Sequence, residues 1–304
     1  MHVVAVVGPT TAGKSSLAIE LALALDGEVV NADSMQLYRG MDIGTAKVTA
    51  AEMKGVPHHL LDVWPVTHPA AAAEYQVMAR AAVDDIAARG RVPILAGGSG
   101  LYVRAALEDL NFPITDAGTR SRLESSLAEQ GAASLHARLA ALDPVAAAAI
   151  LPSNGRRIVR ALEVIELTGQ PFSATMPSYS DTVRPAVQLG LTLPRPVLDS
   201  RIAARVDHMW ASGFEDEVRR LLPSGLREGR TASRALGYQQ LLRYLDGACT
   251  LPAARDDTVR ATKRFARRQE SWFRRDSRIH WLDPAADLLS QAVARIRAER
   301  SERR

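Results

Sequence analysis

The feature that most constrains this chain is a glycine-rich loop near its start, Gly8–Ser15, with the pattern G-x-x-x-x-G-K-S. A β-branched run, Val3–Val7, precedes the loop, and a stretch of helical composition without breakers, Ser16–Leu25, follows it. A strand that is buried on both faces has such a continuous apolar run, and this pattern binds phosphate when it joins a strand to a helix. The sequence therefore predicts an α/β domain whose first loop binds a diphosphate.

Each residue type in the loop suits that ligand. Backbone N–H groups of the loop and the start of the following helix carry partial positive charge that attracts phosphate oxygens. Lys14 supplies a mobile cation, and the Ser15 hydroxyl suits a Mg²⁺ ligand. Asp33, at the end of the predicted second strand, has two interpretations: a carboxylate that accepts a proton or binds Mg²⁺ through water, or the cap of a turn.

Strands alternate with helices in the first hundred residues, which is typical of parallel βαβ units. From about residue 116 the pattern is helical only, and a further strand follows near residue 187. We therefore expect a P-loop NTPase-like parallel sheet core, formed by residues 1–115 and 186–304, and a helical insertion domain over 116–185. The predicted elements after the first helix are strands over 28–32, 92–96 and 187–193 and helices over 74–89, 120–130, 133–142, 144–150, 156–168, 199–222 and 259–275.

Composition narrows the environment and the partners. The apolar runs are far shorter than the roughly 20 residues of a membrane span, no secretory signal is visible, and a lone cysteine gives no reason to expect an oxidising compartment. We expect a cytoplasmic protein without a membrane partner. The last 50 residues hold 14 basic and 8 acidic residues in a chain whose net charge is only +4, so this end could either face a polyanion or form a solvated helical surface.

Several longer motifs resemble one known family. They are the segments Gly8–Ser15, Asn31–Lys47, Pro57–Asp62, Gly97–Tyr102, Arg156–Val164, Ser212–Val218, Arg234–Gln239 and Arg267–Arg274. Together these motifs resemble the tRNA dimethylallyltransferases, also called tRNA isopentenyltransferases, over nearly the whole chain. Ser99 departs from the family pattern, which more often has Thr there, but it keeps the hydroxyl.

The resemblance implies an activity. The family transfers a dimethylallyl group from dimethylallyl diphosphate to the exocyclic amine of the adenosine 3′-adjacent to the anticodon, giving N6-(dimethylallyl)adenosine and diphosphate. We therefore expect Mg²⁺ as cofactor, the tRNA anticodon stem-loop as partner, and a monomer in its bacterial form.

The resemblance also implies roles for individual residues. Asp33 would be the general base, Thr10 would lie near the reacting centre, and Arg205 would hold the leaving diphosphate. The predicted diphosphate site consists of Gly8, Pro9, Thr10, Thr11, Ala12, Gly13, Lys14, Ser15 and Arg205, with Ser15 as the metal ligand. The predicted tRNA-binding residues are Asp33, Ser34, Met35, Gln36, Ser99, Arg120, Arg156, Arg157, Ile158, Val159, Arg160, Arg234, Ala235, Leu236, Gly237, Tyr238, Gln239, Arg267, Arg268, Gln269, Trp272 and Arg274.

Three alternatives stay open on the sequence. The phosphate loop also suits an ATP-binding small-molecule or nucleotide kinase, but a kinase leaves the Asn31–Lys47 block and the basic end without a role. A prenyltransferase acting on a free adenine nucleotide would need neither the helical insertion nor the basic end. A non-catalytic RNA-binding module would not need a diphosphate loop with a neighbouring aspartate.

Overall fold

The computed structural model describes residues 2–175 and 183–302. The strands are β1 (Val3–Val7), β2 (Gly27–Asn31), β3 (His58–His59), β4 (Val92–Gly97), β5 (Ala186–Gly190) and β6 (Ile279–Trp281). The helices are α1 (Lys14–Leu25), α2 (Ala72–Ala88), α3 (Gly100–Leu107), α4 (Ala117–Leu142), α5 (Pro144–Ala149), α6 (Gly155–Thr168), α7 (Arg195–Ala211), α8 (Phe214–Leu221), α9 (Tyr238–Leu245), α10 (Leu251–Phe273) and α11 (Leu288–Glu302). The predicted α/β class is confirmed.

The chain divides into two compact units. Unit 1 consists of Met1–Glu108 and Thr182–Arg304, and unit 2 of Asp109–Asp181. The sequence prediction instead put the insertion at 116–185, and residues 176–182 of that range lie outside the described residues. None of the helices in the described residues is long and apolar enough to cross a membrane.

Unit 1 is built around one parallel sheet with the strand order β3-β2-β4-β1-β5-β6. β1 pairs with β4 and β5, and β2 lies on the far side of β4. The apolar side chains of β1, such as Val4 and Val6, are fully buried, because a central parallel strand has both faces covered. The carboxyl ends of neighbouring strands meet at one edge, where open α/β sheets bind ligands.

The prediction missed the two edge strands β3 and β6, which have only two and three residues. Strands this short show no period-2 pattern that could reveal them. β3 and β6 form because β2 and β5 offer them backbone hydrogen-bond partners at the edges of the sheet.

The prediction of one helix over 199–222 is wrong, because the structure has α7 and α8 there. Gly213 adopts a left-handed conformation with φ of 89°, which ends the helical hydrogen-bond pattern between them. The predicted helix over 259–275 begins earlier, at Leu251. There the Thr250 hydroxyl caps the helix by accepting the Ala253 N–H.

Unit 2 is a small helical domain with a core of its own. α4 is interrupted at Gly131, whose φ of 81° breaks the helix, and α4 packs with α5 and α6. The core contains Leu135, Leu139, Ile158 and Leu162, which are fully buried or nearly so.

Candidate active site

The glycine-rich loop leaves β1 at the carboxyl edge of the sheet and turns into α1. Gly8 has φ of 140°, and a Cβ there would lie 2.3 Å from the Leu191 carbonyl oxygen, so only glycine fits this close approach of two backbones. Gly13 adopts φ of 97° directly before the first residue of α1. No side chain caps that helix start. The loop thus leaves a helix N-terminus open for an anion.

Two cations lie beside this helix start. The Lys14 ammonium donates to the Pro9 carbonyl at 2.7 Å. The pKa of Lys14 is lowered to about 8, chiefly by burial; the Asp33 carboxylate opposes this shift, and the positive charge of Arg205 contributes to it. Within the described chain, neither cation forms an ion pair, so both keep their charge available for a ligand.

Arg205 reaches this edge from α7. Its Nη1 donates to Thr10 Oγ1 at 3.0 Å, and its Nη2 donates to the Thr45 carbonyl at 3.0 Å. Burial lowers its pKa, but an arginine stays protonated. The Thr10 hydroxyl accepts this bond, so its own hydrogen is free to be donated to a ligand.

Asp33 follows β2 and lies at the same edge. The Asn31 side chain binds the Asp33 backbone twice: its Oδ1 accepts the N–H at 2.9 Å, and its Nδ2 donates to the carbonyl at 3.0 Å. Asn31 is 4% exposed and also donates to the Leu60 carbonyl. Asp33 Oδ1 accepts the Met35 N–H at 2.9 Å. Asp33 is therefore held in place by its neighbours. Its Oδ1 caps the turn, as one of the two interpretations predicted.

A loop over 41–47 forms one wall of the site, and Glu217 of α8 holds it. The Glu217 carboxylate is 2% exposed and accepts the backbone N–H groups of residues 42, 43 and 44 at 2.7–3.1 Å. The Tyr238 hydroxyl donates to the same carboxylate at 2.5 Å. Lys47 binds Asp42 and Asp62 at 2.5 and 2.6 Å. Hydrogen bonds and ion pairs from Glu217, Lys47 and Asp62 thus hold this wall in place.

These groups surround a pocket of about 730 Å³ in unit 1. Its cationic end contains Lys14 and Arg205, and Asp33 lies in its wall. The apolar part of the lining consists of Ile202, Val206, Met209, Leu236 and Phe265. A cationic end beside an apolar wall fits an alkyl diphosphate, with the diphosphate against the cations and the hydrocarbon against the wall.

Most predicted residues of unit 1 come together at this pocket. Those that line it are Thr10, Thr11, Gly13, Lys14, Ser15, Asp33, Ser34, Met35, Gln36, Arg205, Arg234, Ala235, Leu236, Gln239, Arg268 and Gln269. Ser99 lies close by, since its hydroxyl accepts the Ser34 N–H at 3.4 Å. Ser15 and Asp33 supply the oxygen donors that Mg²⁺ prefers. No group of three His, Cys, Asp or Glu side chains that could hold a metal by itself occurs in the described residues.

Other predicted tRNA-binding residues of unit 1 lie on or beneath the surface of α9 and α10. Arg267 is exposed on α10, and Arg274 is exposed directly after its last residue and pairs with Glu270 at 2.9 Å. Trp272 is half-buried. Tyr238 is fully buried, and its hydroxyl is used by Glu217. The buried side chain of Tyr238 therefore supports the wall over 41–47 through Glu217, and a tRNA contact of residue 238 stays a prediction.

Unit 2 has its own set of predicted residues. Arg120 and Arg160 both bind the fully buried carboxylate of Glu163, at 2.6 and 2.8 Å. Arg156 and Arg157 are exposed. Ile158 and Val159 lie in the hydrophobic core of the unit, so their side chains stabilise the helix that presents the neighbouring arginines.

The sequence prediction missed the roles of Asn31 and Glu217. Glu217 stands in the Ser212–Val218 motif, and an acid among the buried positions of an amphipathic helix is a signal, because buried carboxylates need partners. For Asn31, β2 is buried at every position, so a polar residue there also indicates a specific hydrogen-bonding role.

The chain is similar to known proteins over nearly all of its length. The family model for IPP transferase matches residues 36–276. A tRNA dimethylallyltransferase of Thermobifida fusca is 65% identical over 300 residues, which covers 97% of this chain and 94% of that protein. One from Salinispora arenicola is 67% identical over 297 residues, which covers 97% of this chain and 86% of the relative.

Solved structures agree with the sequence relatives. The tRNA isopentenylpyrophosphate transferase of Bacillus halodurans superposes with a TM-score of 0.72 at 40% identity, covering 99% of each chain. A eukaryotic dimethylallyltransferase, described as acting on tRNA, superposes with a TM-score of 0.83 at 27% identity and covers 100% of this chain and 80% of its own.

Proposed function

The chain belongs to the IPP transferase family, and on that premise we propose how its residues share the work of prenyl transfer to tRNA. The protein is a prenyltransferase that moves a dimethylallyl group to tRNA, as its curated relatives are named to do. In our proposal the donor is dimethylallyl diphosphate and the acceptor is the exocyclic amine of the adenosine 3′-adjacent to the anticodon. The products are N6-(dimethylallyl)adenosine and diphosphate.

The pocket's cationic end would bind the diphosphate. Loop N–H groups, Lys14 and Arg205 stabilise negative charge that grows on the oxygens as the bond to carbon breaks. Ser15 would hold Mg²⁺ together with diphosphate oxygens, and the ion, when bound, supplies further charge neutralisation. The Thr10 hydroxyl, which accepts a bond from Arg205, is free to donate to an oxygen of the leaving group.

The reaction then exchanges one bond for another. The amine nitrogen forms a bond to C1 of the dimethylallyl group, and the bond between C1 and the diphosphate oxygen breaks, so that the electron pair leaves with diphosphate. The amine must lose one proton, and we assign that proton to the Asp33 carboxylate. An aromatic amine is a weak nucleophile because its lone pair is delocalised, which is why a fixed acceptor beside it matters.

The acceptor base must leave its stack to enter the pocket, which costs a few kcal/mol and less in a loop than in a duplex. Ser34–Gln36 and Arg234–Gln239 include residues at the pocket lining and would contact the base and its neighbours. The exposed arginines of α10 and of unit 2 would bind backbone phosphates, which position an RNA without reading its sequence. We expect the protein to act as a monomer in the cytoplasm.

One observation carries the proposal: a single pocket joins two cations without ion pairs in the described chain, a fixed carboxylate and an apolar wall. A kinase would use the same loop, but the relatives support prenyl transfer and not the kinase alternative.

The direct test is to incubate the purified protein with labelled dimethylallyl diphosphate and unmodified tRNA, digest the RNA, and identify the nucleoside. We expect labelled N6-(dimethylallyl)adenosine with tRNA and with an anticodon stem-loop that has adenosine at the target position. A stem-loop with guanosine there is the matched negative control. Label on free adenosine monophosphate would indicate the nucleotide-prenylating alternative, and consumption of ATP without prenyl transfer would indicate a kinase.

A further inference from the structure

Gln269 is a polar residue on the buried side of a basic helix. Its neighbours in α10, Arg267 and Arg268, are exposed, whereas Gln269 is 5% exposed. A buried amide is costly unless both its donor and its acceptor are satisfied. Its partners therefore indicate what it does.

Both partners of Gln269 lie in the loops at the sheet edge. Its Oε1 accepts the backbone N–H of Thr10 at 2.9 Å, and its Nε2 donates to the Gly98 carbonyl at 2.9 Å. One side chain of α10 thus ties the phosphate-binding loop after β1 to the loop after β4. The Thr10 N–H is used inside the protein and points to α10, unlike an amide that faces a phosphate.

Gly98 is fitted to this amide. A Cβ at residue 98 would lie 2.2 Å from Gln269 Nε2, closer than real Cβ contacts come. The absence of a side chain at residue 98 is therefore what lets Gln269 reach the loop. The glycine at residue 98 thus adds a steric requirement to the hydrogen bond between the two positions.

We propose that Gln269 is a positioning residue that fixes the Thr10 backbone so that the Thr10 hydroxyl keeps its place between Arg205 and the diphosphate. The proposal rests on the proposed function, because it deepens the role of Thr10 in the same pocket. Thr10 is then anchored twice: Gln269 holds its N–H, and Arg205 donates to its Oγ1 at 3.0 Å. The proposal also changes the expectation for Gln269, from a tRNA contact to an internal brace.

Gln269→Leu removes both hydrogen bonds, because the leucine side chain is of similar size but has no polar atoms. Reacting groups displaced by about 1 Å can lose up to about a hundredfold in rate, so we expect kcat at saturating tRNA to fall at least about tenfold. Affinity for dimethylallyl diphosphate, measured by calorimetry without tRNA, should fall as well, whereas tRNA affinity should stay within about threefold. Gly98→Ala should reproduce this pattern, because the added methyl group displaces the Gln269 amide.

The Gln269→Glu variant distinguishes a positioning role of residue 269 from a purely structural role in packing. The carboxylate has the same shape and can accept the Thr10 N–H, but it cannot donate to the Gly98 carbonyl until it is protonated. The ratio of variant to wild-type kcat should therefore rise as the pH falls. A purely structural role would lower the melting temperature of each variant without making that ratio depend on pH.

The matched control is Gln291→Leu in α11. Gln291 has the same bonding pattern, since its Oε1 accepts the Asp283 N–H at 3.0 Å and its Nε2 donates to the Asp283 carbonyl at 2.9 Å. It is not among the residues that line the pocket, so we expect wild-type kcat and diphosphate affinity.

A kcat ratio for Gln269→Glu that does not change with pH would overturn the proposal, and so would either of two results for Gln269→Leu. One is a Gln269→Leu enzyme that keeps wild-type kcat and diphosphate affinity. The other is a loss confined to tRNA affinity, which would make Gln269 an RNA contact. A wild-type enzyme that forms no prenylated nucleoside would instead refute the proposed function, and the calorimetric comparison of diphosphate affinity would still decide the role of Gln269.

Discussion

Unit 1 carries two sets of cations that differ in their surroundings. Lys14 and Arg205 lie in the pocket, bind backbone carbonyls or a hydroxyl, and have no acidic partner in an ion pair within the described residues. Arg267 on α10 and Arg274 at the C-terminal end of that helix are exposed, and Arg274 pairs with Glu270 and lies over the ring of Trp281, 5.1 Å from its centroid.

The two sets of cations differ in how strongly water screens their charge. A charge in a partly buried pocket interacts strongly with a bound anion, because water screens it poorly. An exposed arginine is screened by water and salt, so each one contributes little by itself. The pocket cations therefore suit transition-state stabilisation, and the surface arginines suit the positioning of a large polyanion.

The largest effect on this comparison is expected from Asp33, whose carboxylate acts electrostatically on both pocket cations. Asp33→Asn keeps the shape of the side chain but removes the proton acceptor. We expect single-turnover prenyl transfer to slow by roughly 10²–10⁴-fold, while tRNA affinity changes little. Asp85→Asn, an exposed site on α2, is the control. Transfer within a few-fold of wild type would show that Asp33 is not the base.

Removal of either pocket cation comes next in size. Lys14→Met and Arg205→Met should each lower kcat/KM for dimethylallyl diphosphate by roughly 10²–10³-fold, because each removes charge aimed at the leaving group. Filter binding should show that both variants still bind tRNA. Lys54→Met removes an exposed lysine and should have no effect. Loss of tRNA binding equal to the loss of activity would mean that the two sets of cations do not have separate roles.

The pocket lysine should also respond to pH, which the surface arginines cannot do near neutrality. The pKa of Lys14 is lowered to about 8 in the free protein, so the ammonium is present below that pH and is lost above it. Binding of dimethylallyl diphosphate favours the protonated form, and its affinity should fall by up to about tenfold per pH unit above pH 8. Calorimetry without tRNA from pH 7 to 9.5 measures this slope.

Lys14→Met provides the comparison for that measurement. Its weaker binding should have a flatter pH dependence over the same range, because the titrating group is gone. An identical slope in both proteins would assign the titration to another group.

The smallest expected effect concerns α10. Arg267→Gln should make the slope of log tRNA affinity against log salt shallower by roughly 0.7–0.9, the value of one phosphate contact. Arg274→Gln should change the slope less, because Glu270 and Trp281 already engage that side chain. Arg297→Gln on α11 is the control. If none of these substitutions alters the salt dependence of tRNA affinity, the basic C-terminal end is better interpreted as a solvated surface.

Much of this molecule could be predicted from local sequence. The glycine-rich loop, Asp33 after a buried strand, and the helices of unit 2 follow from short patterns of glycine, β-branched and apolar residues. The tRNA-facing roles came from motif resemblance, and they stay predictions for the arginines of α10 and of unit 2.

Local pattern alone did not predict the break at Gly213 or the edge strands β3 and β6. A glycine inside a helical pattern is compatible with a continuous helix, and only its φ of 89° in the folded chain marks the end. Two- and three-residue strands exist because a neighbouring strand offers them hydrogen bonds.

By itself, the sequence determined which chemical groups stand at the loop after β1 and at the end of β2, because strand, turn and helix follow from neighbouring residues. Only the tertiary structure decided which distant side chains hold those groups: Gln269 meets Thr10 across 259 positions, and Glu217 meets the Asp42 backbone across 175. The physical reason is that a hydrogen bond between distant residues forms only after the hydrophobic core has brought their elements together, so no local pattern contains it.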